Sequence, residues 1–431
     1  MRRLFILILL LLPLSLLAQT AKEEILSDPY KAGGCYYMYQ FSQPSHTAAP
    51  KGYKAFYLSH YGRHGARYVT KDKMPLELME VMDSAYAAGA FTDFGSEFYA
   101  RLQKHFSKVI YRSGDLSQLG WQQHNRIAKQ IYKEYPSIFK KSPSIYAYAT
   151  QSQRCIMSMN SFCLSLKEMD SRLDITEDTS RSFLPELNPH ASENPWFDDS
   201  VKHYYSPDSD PWGGSKAQFA ARNYDPGTIC ARFFKDPHFP DGIGGQSSFV
   251  SNLYHIVMDV QCLEDASSLL DAFTPEELYG IWRTNNYKTF LENGPLQFRD
   301  ISLLENIVTR TDEDLAGGYD VRLRFGHDMD LIPILCFIEA DGWNVIPDSP
   351  DKIEDTFRTY WITMATTLYF VFYKNKASDV LFKAVLNGKE LHFNALDAVE
   401  GPYYKWSDFR DFCVDKIERV KSQTYPDETT I

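Results

Sequence analysis

Residues 54–70 read Lys54-Ala55-Phe56-Tyr57-Leu58-Ser59-His60-Tyr61-Gly62-Arg63-His64-Gly65-Ala66-Arg67-Tyr68-Val69-Thr70. The first part is an apolar, aromatic run that predicts a strand over 54–59. The second part packs an imidazole, His64, between the guanidinium groups of Arg63 and Arg67. An imidazole attacks phosphorus only when neutral, and flanking cations lower its pKa while binding the oxyanion it must attack. Arginine forks suit phosphate oxygens, and Gly65 would let backbone approach a bound group without a Cβ in the way. The arrangement fits phosphoryl transfer. Alone, it is also what a solvated basic turn looks like, so the rest of the chain must decide.

Two further β-rich runs, 144–149 and 321–326, are each followed by a polar junction and then a helical pattern. That alternation predicts an α/β sheet, whose ligands bind beyond the carboxyl ends of the strands. The first junction leads into Arg154, in the first turn of a helix, where spare backbone N–H groups also favour an anion. The second contains His327-Asp328-Met329-Asp330. There a histidine can bind an oxygen while a carboxylate hands a proton to a leaving group, or Asp328 or Asp330 can cap the helix.

Leu116 to Tyr132 predicts a helix capped by Ser117, with His124 on its polar side as a surface histidine. From about 180 to 300 the sequence turns rich in Pro, Asp, Gly and aromatics, with helices expected near 247–264, 275–283 and 300–310. Thr274-Pro275-Glu276-Glu277 is a strong helix start. This stretch reads as a mostly helical insertion or cap. Asn387-Gly388, between the apolar runs 380–386 and 389–393, predicts a hairpin. The glycine-rich segment 241–246 lacks a preceding strand and reads as a loop.

The chain has 431 residues, 44% hydrophobic and 23% charged, enough for a large core and two or three domains. Residues 1–18 have a basic start, a short apolar run and Ala18 before Gln19, the parts of a cleaved export signal. This implies a periplasmic or secreted protein without stable membrane insertion. A formal net charge of −11 argues against nucleic-acid binding, so local cations must handle any polyanion. Seven cysteines are an odd count with no zinc spacing and no dense disulfide framework, and none is given a catalytic role.

With its three junctions in this order, the chain resembles the histidine phosphatase superfamily, in the branch of acid phosphatases, phytases and multiple inositol polyphosphate phosphatases. The resemblance implies an α/β, phosphoglycerate-mutase-like sheet core flanked by helices. The core would be split between 19–180 and 301–431, around a cap at 181–300. It implies that His64 is the nucleophile, forming a phosphohistidine, that Arg63, Arg67, Arg154 and His327 hold the phosphoryl oxygens, and that Asp328 is the proton donor. No metal or cofactor is implied, and the partner is a small-molecule phosphate ester. Thr70-Lys71 matches a substrate-contacting pair in some bacterial phytases, and Lys73 is a weaker candidate of the same kind.

Two positions depart from the family pattern. Val69 stands where many relatives have proline, and His327-Asp328-Met329 stands where inositol polyphosphate phosphatases often have His-Ala-Glu. The expected activity is hydrolysis of inositol polyphosphates, with a broad-specificity acid phosphatase as the near alternative. A non-catalytic phosphate binder is a further reading. Another is a metallophosphoesterase that uses His60 and His64 as a ligand pair at helical spacing.

Overall fold

The computed structural model describes residues 19–42, 46–188, 211–214, 216–264, 267–295 and 301–422. Residues 1–18, for which export is expected, and parts of the 181–300 stretch lie outside the described residues. Among the described residues, no helix is long and apolar enough to cross a membrane.

One eight-stranded sheet organises the chain. Its strands are β1 (Lys54–Arg63), β2 (Ser144–Ala149), β3 (Asp174–Thr179), β4 (Val321–Gly326), β5 (Thr367–Lys374), β6 (Val380–Leu386), β7 (Lys389–Glu390) and β8 (Tyr404–Lys405). They run in the order β3-β2-β4-β1-β5-β6-β7, with β8 on β6. β1, β2, β3 and β4 are parallel, while β5 enters antiparallel beside β1. In register, Arg63 lies beside Gly326 and Gly62 beside Thr367. The carboxyl ends of the parallel strands and the start of β5 therefore meet at one edge.

The strand predicted at 54–59 runs on to Arg63. The polar His60 does not end it, because its ring is buried between Phe162 and Phe325, with centroids 5.3 and 5.2 Å away. The segment is extended, so the helical ligand spacing of His60 and His64 is absent.

Helices cover both faces of the sheet. On one side lie α3 (Gln118–Glu134) and α4 (Gln153–Met169), and on the other α7 (Ile301–Leu315), α8 (Asp328–Phe337) and α9 (Trp406–Ser422). A separate helical cluster joins α1 (Lys73–Ala87), α2 (Asp93–Val109), α5 (Gln246–Asp259) and α6 (Pro275–Asn293). It therefore includes residues well before 181.

Local signals explain several boundaries. Ser117 caps α3 by accepting from the Gly120 amide, and Thr274 and Glu277 form a reciprocal capping box at α6. Asn387 and Gly388 take φ of 51° and 79°, as a two-residue hairpin turn requires, although β7 is shorter than its apolar run.

His124 corrects the sequence reading. It is 1% exposed, and its ring meets Phe325 edge to face at 5.7 Å. The α3 face that packs on the sheet is wide enough to include Gln123 and His124 beside Ile127 and Ile131, and polar composition hid this.

Candidate active site

At the shared edge, β1 and β4 deliver His64 and His327 side by side, with ring centroids 5.6 Å apart. The His64 amide donates to the Gly326 carbonyl at 3.0 Å, and the His64 carbonyl accepts from the Ala365 amide at 3.0 Å. Nδ1 of His64 lies 2.9 Å from the Gly65 carbonyl. A carbonyl can only accept, so Nδ1 carries the proton and Nε2 keeps its lone pair. His64 is 2% exposed. Burial, then Arg154, Arg63, His327 and Arg67, hold its pKa well below the ordinary value. This favours the neutral ring.

The cations around it are held differently. Nη1 of Arg63 donates to the carbonyls of Cys35 and Ile362, and Nη2 lies 3.2 Å from Oδ2 of Asp328. Arg67 stacks on the Tyr36 ring at 4.8 Å, donates to the Tyr68 carbonyl at 3.0 Å and lies 3.6 Å from Asp259. Nη2 of Arg154, in the first turn of α4, is 3.4 Å from Nδ1 of His327. Burial first, then Arg154, lowers His327 to about 3.

Asp328 opens α8. Burial pushes its carboxyl up, but Arg63, Arg67 and His327 outweigh this and hold it below the usual value. Asp328 and Asp330 do not cap the helix: the N-cap position is His327, without a side-chain cap bond. Asp330 instead lies 3.0 Å from the Tyr61 hydroxyl, which accepts from the His327 amide at 2.9 Å.

The structure thus brings together Arg63, His64, Arg67, Arg154, His327 and Asp328. Thr70 and Lys71 are exposed on the loop beyond Val69, and Lys73 pairs with Glu77 at 3.4 Å. Gly65 also has a packing reason. A Cβ there would sit 2.5 Å from the Gly120 carbonyl, and one on Gly120 would sit 2.2 Å from that of Ala66. The two glycines let α3 cross directly against the loop. Gln123 and Ser158 then accept from the amides of Ala66 and Gly65, at 2.8 and 3.0 Å.

Sequence reasoning missed the wall beside Asp328. A cleft of about 250 Å³ runs from Asp328 and Met329 along α6, lined by Asn285, Lys288, Thr289 and Asn293, with His255 of α5 opposite. These α6 positions recur at helical spacing and form a polar stripe along the helix. All seven cysteines are free thiols.

The sequence model of the histidine phosphatase superfamily, branch 2, matches residues 62–387, from the end of β1 to the hairpin turn. The chain belongs to that family. The Bifidobacterium longum multiple inositol polyphosphate phosphatase, solved in complex with phosphate, superposes on this histidine phosphatase with a TM-score of 0.74. The two are 16% identical, over 89% of this chain and 97% of that one. The phytase of D. castellii gives a TM-score of 0.60 at 14% identity, over 92% and 86% of the two chains. The Hafnia alvei phytase solved with tartrate gives 0.55 at 13%, over 87% and 100%. At these identities the likeness is one of fold. No curated protein matches the sequence.

Proposed function

We propose that this histidine phosphatase hydrolyses phosphate monoesters of polyols, inositol polyphosphates in particular, through a phosphohistidine at His64. The observation that carries the chemistry is the Nδ1 contact to the Gly65 carbonyl, which leaves Nε2 free amid Arg63, Arg67 and Arg154. In this reading Nε2 attacks phosphorus as the bond to the ester oxygen breaks, and Asp328 gives its proton to the departing alkoxide. Water then attacks the phosphohistidine, Asp328 takes the water's proton, and phosphate leaves as the P–N bond breaks. The guanidinium groups and His327 stabilise the charge on the phosphoryl oxygens.

Asp328 is a carboxylate at rest because Arg63 faces it. A phosphate dianion bound to Arg63 would draw that charge away and raise the carboxyl, readying it as an acid.

For the leaving group, support comes from the α6 stripe. Amides, a hydroxyl and Lys288 beside the proton donor suit a hydroxyl-rich, anionic alcohol better than an apolar one. The structural neighbours named for phytate and inositol polyphosphates support the same reading. One observation favours a broader acid phosphatase: among the described residues lining this cleft, Lys288 is the one lysine or arginine, and Glu292 lies close by.

Phosphate release from inositol hexakisphosphate and from p-nitrophenyl phosphate, with chelator present, decides between them. A higher kcat/KM on the inositol substrate supports the proposal, and preference for the aryl ester supports the alternative. Binding of either without release would leave a phosphate-binding protein. The proposed export to a periplasm or medium rests on residues 1–18 and is tested by fractionating cells that express the full chain.

A further inference from the structure

Asp259 ends α5 and is 1% exposed. Its Oδ1 lies 3.6 Å from Nη1 of Arg67, and neither carboxylate oxygen closes a hydrogen bond of good geometry among the described residues, although the Val69 amide lies near enough to favour the charge. A buried carboxylate in that condition is costly, and the negative end of its own helix adds to the cost. Packing does not call for a charge at this position, since Ile256, Val257, Met258 and Val260 around it are buried and apolar. What Asp259 faces is the guanidinium that stacks on Tyr36 beside His64.

We infer that Asp259 is a positioning residue for Arg67: it holds the guanidinium against the Tyr36 ring and sets how much of its charge reaches a bound phosphoryl group. The inference rests on the reading of Arg67 as a phosphoryl-binding residue.

Anion affinity then depends on pH. Burial pushes the Asp259 carboxyl up to about 7, and Arg67 and the Val69 amide counter this only in part. Below that pH the carboxyl is neutral and Arg67 presents its full charge. Above it, the carboxylate offsets that charge and repels an incoming anion. The neighbouring titratable groups stay out of this window. Burial raises Tyr36 on the far side of Arg67 and Cys262 in the turn after α5. His255, on the same helix, is lowered to about 4, His327 to about 3, and His64 well below its usual value, each mainly by burial. Asp328 is held below the usual carboxylate range by Arg63 and Arg67 against the effect of burial.

The experiment is calorimetric binding of inorganic sulfate, which remains a dianion throughout, to the purified protein from about pH 5 to 8.5. Wild-type affinity is expected to fall roughly tenfold as pH rises through 7. Asp259→Asn is expected to keep the acid-pH affinity throughout, and Asp259→Glu to restore a step. A flat wild-type curve overturns the inference, as does a step that persists undiminished in Asp259→Asn. If the asparagine variant does not fold, Asp259→Ser makes the same comparison. Arg67→Ala separates this inference from its parent: wild-type sulfate affinity in that variant sinks the reading of Arg67 itself. Lost binding there, with the step intact in Asp259→Asn, sinks only the role of Asp259.

Discussion

On the sheet side of the site, His64 is fixed by backbone bonds to Gly326 and Ala365, and Arg63 by two main-chain carbonyls. On the helical side, Arg67 rests on the ring of Tyr36 and faces a carboxylate at the end of α5, while the cleft wall is the side-chain stripe of α6. Main-chain bonds at strand ends leave little freedom, because losing one orphans a buried polar group. Side-chain walls can change composition while the helix beneath them stays in place. The sheet side is therefore suited to the phosphoryl transfer proposed above, and the helical side to the proposed selection of the leaving group and tuning of charge.

The comparison predicts graded effects. His64→Ala should lower turnover at least about 10⁴-fold on every ester while leaving the fold intact by circular dichroism. Residual activity near wild type would remove the nucleophile from the sheet side altogether. Asp328→Asn should slow alkyl phosphates by about 10²–10⁴-fold and p-nitrophenyl phosphate much less, since the aryl leaving group needs no proton. Equal losses on both would take the acid role from Asp328.

Gly120→Ala tests the seam between α3 and the catalytic loop. Its Cβ would fall 2.2 Å from the Ala66 carbonyl. Unfolding in urea should show a loss upwards of about 3 kcal/mol, and an unchanged midpoint would mean that the crossing is looser than described. The smallest effect belongs to the helical side. Lys288→Ala should raise KM for inositol hexakisphosphate about fivefold, or roughly 1 kcal/mol, with p-nitrophenyl phosphate unaffected. An equal change on both esters would mean that Lys288 acts on the phosphoryl site instead.

The same contrast governs how much could be read from sequence. Arg63, His64, His327 and Arg154 sit where a strand hands over to a helix, and that junction leaves a local signature of apolar run, polar turn and helical period. The aromatic run of β5, Thr367–Lys374, is itself a strand signal that the sequence reading passes over, whereas β3, Asp174–Thr179, is polar and announces nothing. His124 was misplaced because a polar residue can lie within a buried helix face. Asn285, Lys288 and Asn293 needed the packing of α6 before their stripe could be seen facing Asp328. Asp259 did leave a trace, a lone carboxylate inside Ile256-Val257-Met258-Asp259-Val260, but its partner Arg67 is far away in sequence.

β1, which carries His64, is made early, yet both of its neighbours in the sheet, β4 at 321–326 and β5 at 367–374, come late in the chain. Until they arrive, a strand that the finished fold buries almost throughout has both edges unpaired. Contacts of such long sequence separation form slowly and expose a strand to association with other chains. The geometry that centres His64 in the sheet thus makes its strand a stretch in need of protection during synthesis, and assembly of the site a property of the nearly complete chain alone.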